Sequence, residues 1–266
     1  MTPFSWGHGA RGFIAADGKR LEAQAFGPPP DKAPTIVMLH EGLGCVALWR
    51  DFPEKLARAT GWGAFVYSRA GYGGSDSVEL PRPLDYLERE ARLSLPQVLN
   101  RIGFRRGILF GHSDGASIAA IYAGEHADAR VRGLVLVAPH FFTEPCGLAA
   151  IAETKRAYEA GGLRAKLAKY HAQVDTAFYG WNGAWLDPDF KSWNIEAFVD
   201  GWRAPALLIQ GAEDQYATLA QIRAAQARAP AAATTLILPD CGHSPHLEQP
   251  EAMLQAVAAF CAGFRR

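Results

Sequence analysis

Short runs of continuous apolar residues alternate along the chain with longer stretches in which apolar positions recur every three or four residues. The continuous runs are TIVMLH (35–40), AFVYSRAG (64–71), RGILFG (106–111), VRGLVLVAP (131–139), APALLIQG (204–211) and TTLILPD (234–240). Runs of this length bounded by turn residues predict strands, and their lack of polar alternation predicts that both faces are covered. Helical spacing appears in LWRDFPEKLARAT, which should end near Gly61, from Leu84 to about Ile102, in ASIAAIYAGEH, and from about Glu251 onward. Near the start, GFIAADGKRLEAQAFG reads as two short strands around Asp17-Gly18, a hairpin turn signal. Strands alternating with helices predict an α/β fold with a mostly parallel sheet wrapped by helices on both faces. The opening hairpin predicts an antiparallel edge.

One segment breaks the alternation. Residues 140–202 lack strand signals and look helical. They are rich in aromatics, among them Phe141, Phe142, Phe178, Trp181 and Trp185. An insertion this long between two strands is usually functional. It reads as a helical cap over the C-terminal edge of the sheet, where open α/β sheets bind ligands. The division is then a core of 1–139 and 203–266 with a cap of 140–202. Most of these aromatics are expected to form the cap's own small core. Several should line a pocket, with Phe141, Phe142, Phe178, Trp181 and Trp185 as the candidates.

Composition narrows the function classes. The 266 residues carry 27 Lys plus Arg against 27 Asp plus Glu. Zero net charge argues against nucleic acid or an anionic membrane as the main partner and leaves a small-molecule substrate. Oligomeric state, monomer or homodimer, stays open. MTPFSWGHGARGF has no charged segment leading into an apolar one, so no secretory leader is expected. No apolar run approaches a membrane span. The four cysteines, Cys45, Cys146, Cys241 and Cys261, form no CxxC pair. A zinc or redox site is therefore not expected, and a reduced, cytoplasmic setting fits. Cys45 and Cys241 read as small buried thiols.

Chemistry concentrates at Gly111-His112-Ser113-Asp114-Gly115, a G-x-S-x-G pattern. Alone it is a weak signal, but a strand precedes it and a helix follows it. That is the strand–turn–helix setting that holds a serine hydroxyl above a sheet edge, at a helix N-terminus favouring negative charge. A serine needs a base to take its proton. Of eight histidines, His243 fits best, in the loop between the last strand and the last helix. His246 is the alternative, and His112 is expected to pack or hydrogen-bond locally. An acid must then hold the imidazole in one tautomer. Asp214 follows a strand in LLIQGAEDQYA; Glu213 is adjacent, and Asp240 more naturally serves its own turn. Two N–H donors are needed for an oxyanion. One should be the backbone of Asp114. The other should come from LHEGLGC, with Gly42 first and Leu43 second. His40 and Glu41 shape that loop without an assigned catalytic role.

Taken in order, LHEGLG, YSRAGYGGSD, GHSDG, GAEDQYA and GHSPHLEQPE resemble the α/β-hydrolase superfamily, in its small bacterial branch with a helical cap. The resemblance covers about Gly12 to Phe264. It departs in one place, where Glu41 stands between His40 and Gly42 and many members have His-Gly directly. It implies an eight-stranded sheet with strand 2 antiparallel, a cap after strand 6, a Ser113–His243–Asp214 triad, and no cofactor or metal. Members include esterases, thioesterases, amidases, C–C bond hydrolases, dehalogenases and epoxide hydrolases. The last two place Asp at the centre of the turn, so Ser113 disfavours both. The leading expectation is hydrolysis of a small to medium apolar or aromatic carboxylic ester through an acyl-serine. C–C bond hydrolysis by the same triad is the alternative, and a weakly catalytic ligand receptor is the alternative from another class.

Overall fold

Each continuous apolar run becomes a strand of one sheet. The hairpin forms from β1 (Ala10–Ala16) and β2 (Lys19–Phe26), turning at Asp17 and Gly18, both with positive φ. The remaining strands are β3 (Thr35–Leu39), β4 (Gly63–Tyr67), β5 (Gly107–His112), β6 (Val131–Val137), β7 (Ala206–Gly211) and β8 (Ala233–Leu238). The computed structural model describes residues 4–264; residues 1–3 and 265–266, the ends of the expected core segments, lie outside it. The strand order is β1-β2-β4-β3-β5-β6-β7-β8. β2 is antiparallel to β1 and β4, and every other pair is parallel.

Period-two geometry explains why the strands are apolar throughout. In β3, Val37 and Leu39 enter one core cluster while Ile36 and Met38 enter the other. β6 divides in the same way, with Leu134 and Leu136 against Val135 and Val137. Successive side chains point to opposite faces, so a strand covered on both sides needs apolar residues at every position. The second cluster packs beneath α1 (Phe52–Thr60) and a C-terminal helix (Pro250–Ala262), through Leu56, Met253 and Val257. The first packs beneath α2, a helical run of Tyr86–Arg89, Glu90–Ser94 and Leu95–Arg101, and α3 (Asp114–Glu125).

Three elements differ from the sequence expectation. The 48–60 helix splits: Val46–Trp49 is a 3-10 turn, Arg50 takes φ 53°, and α1 starts at Phe52 with Pro53 in its first turn. Proline is suited to that position because its missing N–H is unpaired there anyway. The middle of α2 widens into a π turn over Glu90–Ser94. Pro96 follows directly and can give no N–H to the preceding turn, which accounts for the irregularity. β8 is less covered, with Thr234, Thr235 and Ile237 exposed, because it is the last strand of the sheet.

Between β6 and β7 the chain runs through α4 (Pro145–Glu159), α5 (Gly162–Leu167), α6 (Val174–Trp185), a 3-10 turn (Pro188–Ser192) and α7 (Glu196–Val199). Its apolar residues do not form a separate core. Ile151, Tyr158, Phe178 and Trp185 belong to the same cluster as Leu134 and Ile118. The rest of the chain adds α8 (Ala220–Arg228), α9 (Pro245–Glu248) and α10, the Pro250–Ala262 helix. Among the described residues no helix is long and apolar enough to cross a membrane. Cys45, Cys241 and Cys261 are buried, Cys146 is exposed, and none forms a disulfide.

Candidate active site

β5 ends in a sharp turn at Ser113, which takes φ 52° and ψ −118°. Few non-glycine residues hold a positive φ, so the surroundings must enforce it. They do so on both sides. The Ser113 N–H donates to Val137 O at 2.9 Å, and Ser113 O accepts from the N–H groups of Ala116 (2.8 Å) and Ser117 (3.0 Å). The flanking glycines have steric causes. A Cβ on Gly111 would overlap Gly115 O and lie 2.5 Å from Ala116 Cα; one on Gly115 would overlap Leu39 O. Asp114 is the first residue of α3, where backbone N–H groups have no partner within the helix.

His243 and Asp214 are brought together by the loops after β8 and β7. His243 Nδ1 lies 2.9 Å from both Asp214 Oδ1 and Oδ2. A carboxylate there accepts a hydrogen bond from Nδ1–H, which keeps the ring proton on Nδ1 and leaves the Nε2 lone pair free to accept a proton. Burial would raise the Asp214 carboxyl, but the bond and charge of His243 and the Tyr216 N–H outweigh it and hold it below the ordinary value. The Tyr216 N–H donates at 2.8 Å. The loops approach closely because a Cβ on Gly211 would overlap the carbonyls of Cys241 and Gly242. Glu248 brackets His243, accepting from the N–H groups of Gly242 (2.7 Å) and Ser244 (2.9 Å).

The competing residues go elsewhere. His246 is buried against Trp49 and His112, with ring centroids 4.9 and 5.0 Å away. Burial, then the charge of His112, pushes it down to about 3. Glu213 and Asp240 are exposed and make no side-chain bond to His243. His112 lies 2.7 Å from His243 O through Nε2, so it supports the histidine loop.

The loop after β3 is held by Arg69, a fully buried residue that sequence reading passed over. Its guanidinium donates to His40 O and, at 3.1 Å, to Glu41 O. In a trans peptide the C=O and the following N–H point in opposite directions. Turning Glu41 O toward Arg69 therefore turns the Gly42 N–H away from it. Leu43 contributes its carbonyl to His171 Nε2 at 2.9 Å. Arg69 also lies 3.8 Å from Asp114 Oδ2. That carboxylate accepts from Tyr86 OH at 2.6 Å, and its Oδ1 accepts from Trp185 Nε1 at 3.2 Å. Burial still pushes the Asp114 carboxyl above its ordinary value.

Ser113, Asp114, Gly42, Leu43 and His243 line one cavity of about 80 Å³. Its other walls are Glu41, His140, Ile151, Tyr216, Trp181 and Trp185. Burial and the charge of His243 push His140 down to about 3, so it is neutral there. Trp181 and Trp185 are thus at the cavity, while Phe141, Phe142 and Phe178 are not and must be corrected. Phe141 is fully buried, its N–H bound to Gln221 Oε1 at 2.7 Å and its ring near Trp202. Phe142 is tied into a bridge with Asn194. Phe178 stacks on Tyr158 at 3.6 Å. Strand and helix period could not separate these cases, because both groups are aromatic residues of one inserted segment. Tyr216 and His140 were missed for a related reason: each lies in a loop whose direction only the fold sets.

A larger cavity of about 370 Å³ lies at the N-terminal ends of β6 and β7, lined by Val131, Arg132, Pro205 and others. It is at the far edge of the sheet from Ser113. Among the described residues no group of three or more His, Cys, Asp or Glu is placed to hold a metal ion.

Comparison with known proteins places this geometry. An esterase, RhEst1 from Rhodococcus sp. ECU1013, superposes with a TM-score of 0.69 at 20% identity, covering 94% of this chain and 97% of that one. The enol-lactonase of Burkholderia xenovorans LB400 gives 0.72 at 19% identity, over 94% of this chain and 100% of that one. At such identities the likeness concerns the fold. In sequence, the chain is 30% identical to Epoxide hydrolase B of Mycobacterium tuberculosis over 124 residues, 47% of this chain. The chain spans well under half the length of the curated relatives it matches, 34% for that protein and 41% for Epoxide hydrolase 3 of Xenopus tropicalis. The model of the alpha/beta hydrolase family matches residues 36–256. With its eight-stranded sheet and that match across most of its length, the chain belongs to the α/β hydrolase family.

Proposed function

We propose that the chain is a serine hydrolase that cleaves small carboxylic esters through an acyl-serine intermediate. The observation that carries this reading is the double 2.9 Å contact of Asp214 on His243 Nδ1, with His243 and Ser113 on one cavity. Ser113 Oγ attacks the ester carbonyl as His243 Nε2 takes its proton. The N–H groups of Asp114 and Gly42, with Leu43 as the neighbouring donor, face the oxyanion. His243 then returns the proton to the departing alcohol. Water, deprotonated by His243, attacks the acyl-serine and releases the acid. The inserted segment, 140–202, acts as a cap; Ile151, Trp181 and Trp185 give the acyl group an apolar wall, and the cavity's size suits a short one.

The names of the curated relatives raise epoxide opening as a second reading. A carboxylate would have to be the nucleophile. Position 113 is serine, and the Asp114 carboxylate is fully buried beneath Tyr86, Trp185 and Arg69. These contacts favour the ester reading. Turnover of short aryl esters and of styrene oxide by wild type and Ser113→Ala tests it. Ester turnover should fall at least about a thousandfold in a variant that keeps its circular dichroism. An ester rate unchanged in Ser113→Ala, or epoxide turnover that survives it, overturns the proposal. A fluorophosphonate should label wild type at Ser113.

A further inference from the structure

Glu41 stands between His40 and Gly42 in the loop after β3, and the mechanism above leaves it without a task. Glu41 lines the same cavity as Ser113, and its side chain is 27% exposed. Gly44 makes the space, since a Cβ there would overlap Glu41 Oε2. Among the described residues its ion-pair partner is His112, whose Nδ1 lies 3.7 Å from Oε2, beyond hydrogen-bond reach. His112 Nε2 is 2.7 Å from His243 O, which can only accept, so Nε2 carries the proton. With the ring proton on Nε2, Nδ1 turns its lone pair toward Glu41 and has no hydrogen-bond partner. The cavity therefore contains a carboxylate with an incomplete counter-charge.

Such a charge, one residue from the Gly42 donor, opposes an oxyanion forming nearby. A cation on the substrate removes the conflict. Trp181, Trp185 and Tyr216 line the same cavity, and aromatic rings attract organic cations. We infer that Glu41, with Trp181 and Tyr216, selects esters that carry a protonated amine close to the scissile bond. The inference rests on the ester-hydrolase reading of Ser113.

Two isosteric probe pairs test it, each exchanging a cationic nitrogen for carbon. Glycine and propanoate benzyl esters place the charge on the acyl side. The 2-(dimethylamino)ethyl and 3-methylbutyl esters of one short acid place it on the alcohol side. At about pH 7 the amines are mostly protonated. The wild-type kcat/KM ratio of cationic to neutral ester should reach roughly tenfold or more in at least one pair, and Glu41→Gln should reduce that ratio at least about tenfold. Ratios near one in both pairs for wild type overturn the inference, and that reading needs no variant to fold. So does a ratio that Glu41→Gln, checked by its thermal melt, leaves unchanged. Failure of the serine reading shows separately, as turnover of the neutral esters that survives Ser113→Ala.

Discussion

Replacing Asp214 by Asn tests the arrangement most directly, because the change keeps shape and removes one charge. The Asp214 side chain has no solvent exposure and that of His243 is 11% exposed, so solvent screening is weak. When Ser113 gives up its proton, His243 becomes an imidazolium beside this carboxylate. Two unit charges about 4 Å apart at an effective dielectric near 20 attract by about 4 kcal/mol. Losing that attraction in the transition state lowers kcat by roughly a thousandfold. An Asn amide that donates to Nδ1 would also impose the wrong tautomer, taking the loss toward roughly ten-thousandfold. The assay is kcat on a short aryl ester, with Glu213→Gln as the adjacent control, expected within about threefold of wild type because Glu213 is exposed. Stability gives a second readout. The folded Asp214 carboxyl titrates below its ordinary value, so it stabilises the fold above the unfolded pKa of about 3.9. That contribution disappears as pH falls through the lower folded value, and Asp214→Asn should remove this part of the acid limb of a urea-midpoint profile. A variant that keeps more than about a tenth of wild-type kcat would refute the reasoning.

Two further substitutions address the scaffold of the site. Trp185→Phe deletes the N–H that reaches Asp114 Oδ1 at 3.2 Å and Tyr86 OH at 3.0 Å. It should cost about 1–3 kcal/mol in urea unfolding, and an unchanged midpoint would show that this buried network contributes nothing. Gly115→Ala pushes a Cβ into the Leu39 and His40 carbonyls, both backbone, and should destabilise by about 3 kcal/mol or more. Its comparison is Gly183→Ala in α6, where a Cβ meets nothing within 4 Å, and a gain of about 0.5–1 kcal/mol is expected. Similar midpoints for the two variants would undercut the steric account of the turn.

How far the sequence could be read depended on whether a feature was local. Continuous apolar runs marked six strands of the sheet, of which β8 alone is half-exposed, and Asp17-Gly18 marked the hairpin. Ser113, between a strand and a helix, was legible because glycines at 111 and 115 answer to contacts within a few residues or with the adjacent strand. Asp214 and His243 were legible because each follows a strand end, and parallel strands bring such loops to one sheet edge. The pocket was less legible. Trp181 and Trp185 reach the cavity while Phe178, on the same helix, stacks on Tyr158. Hydrophobicity is the same for all three, so only the position of α4 separates them.

The sequence by itself determined the alternation of strand and helix, the turn that carries Ser113, and the order in which serine, acid and histidine arrive. These depend on periodicity, on turn chemistry and on right-handed connections between neighbouring strands. Tertiary structure alone decided what surrounds them. It buried Arg69 where its guanidinium orients the Glu41 carbonyl, and it set the Asp114 carboxylate under Trp185 from a segment 71 residues away. It also placed Glu41 on the cavity wall beside a histidine whose Nε2–H is held by the His243 carbonyl. Such contacts join residues distant in the chain, and side-chain direction and burial at each place follow from how the layers pack, which no local pattern encodes.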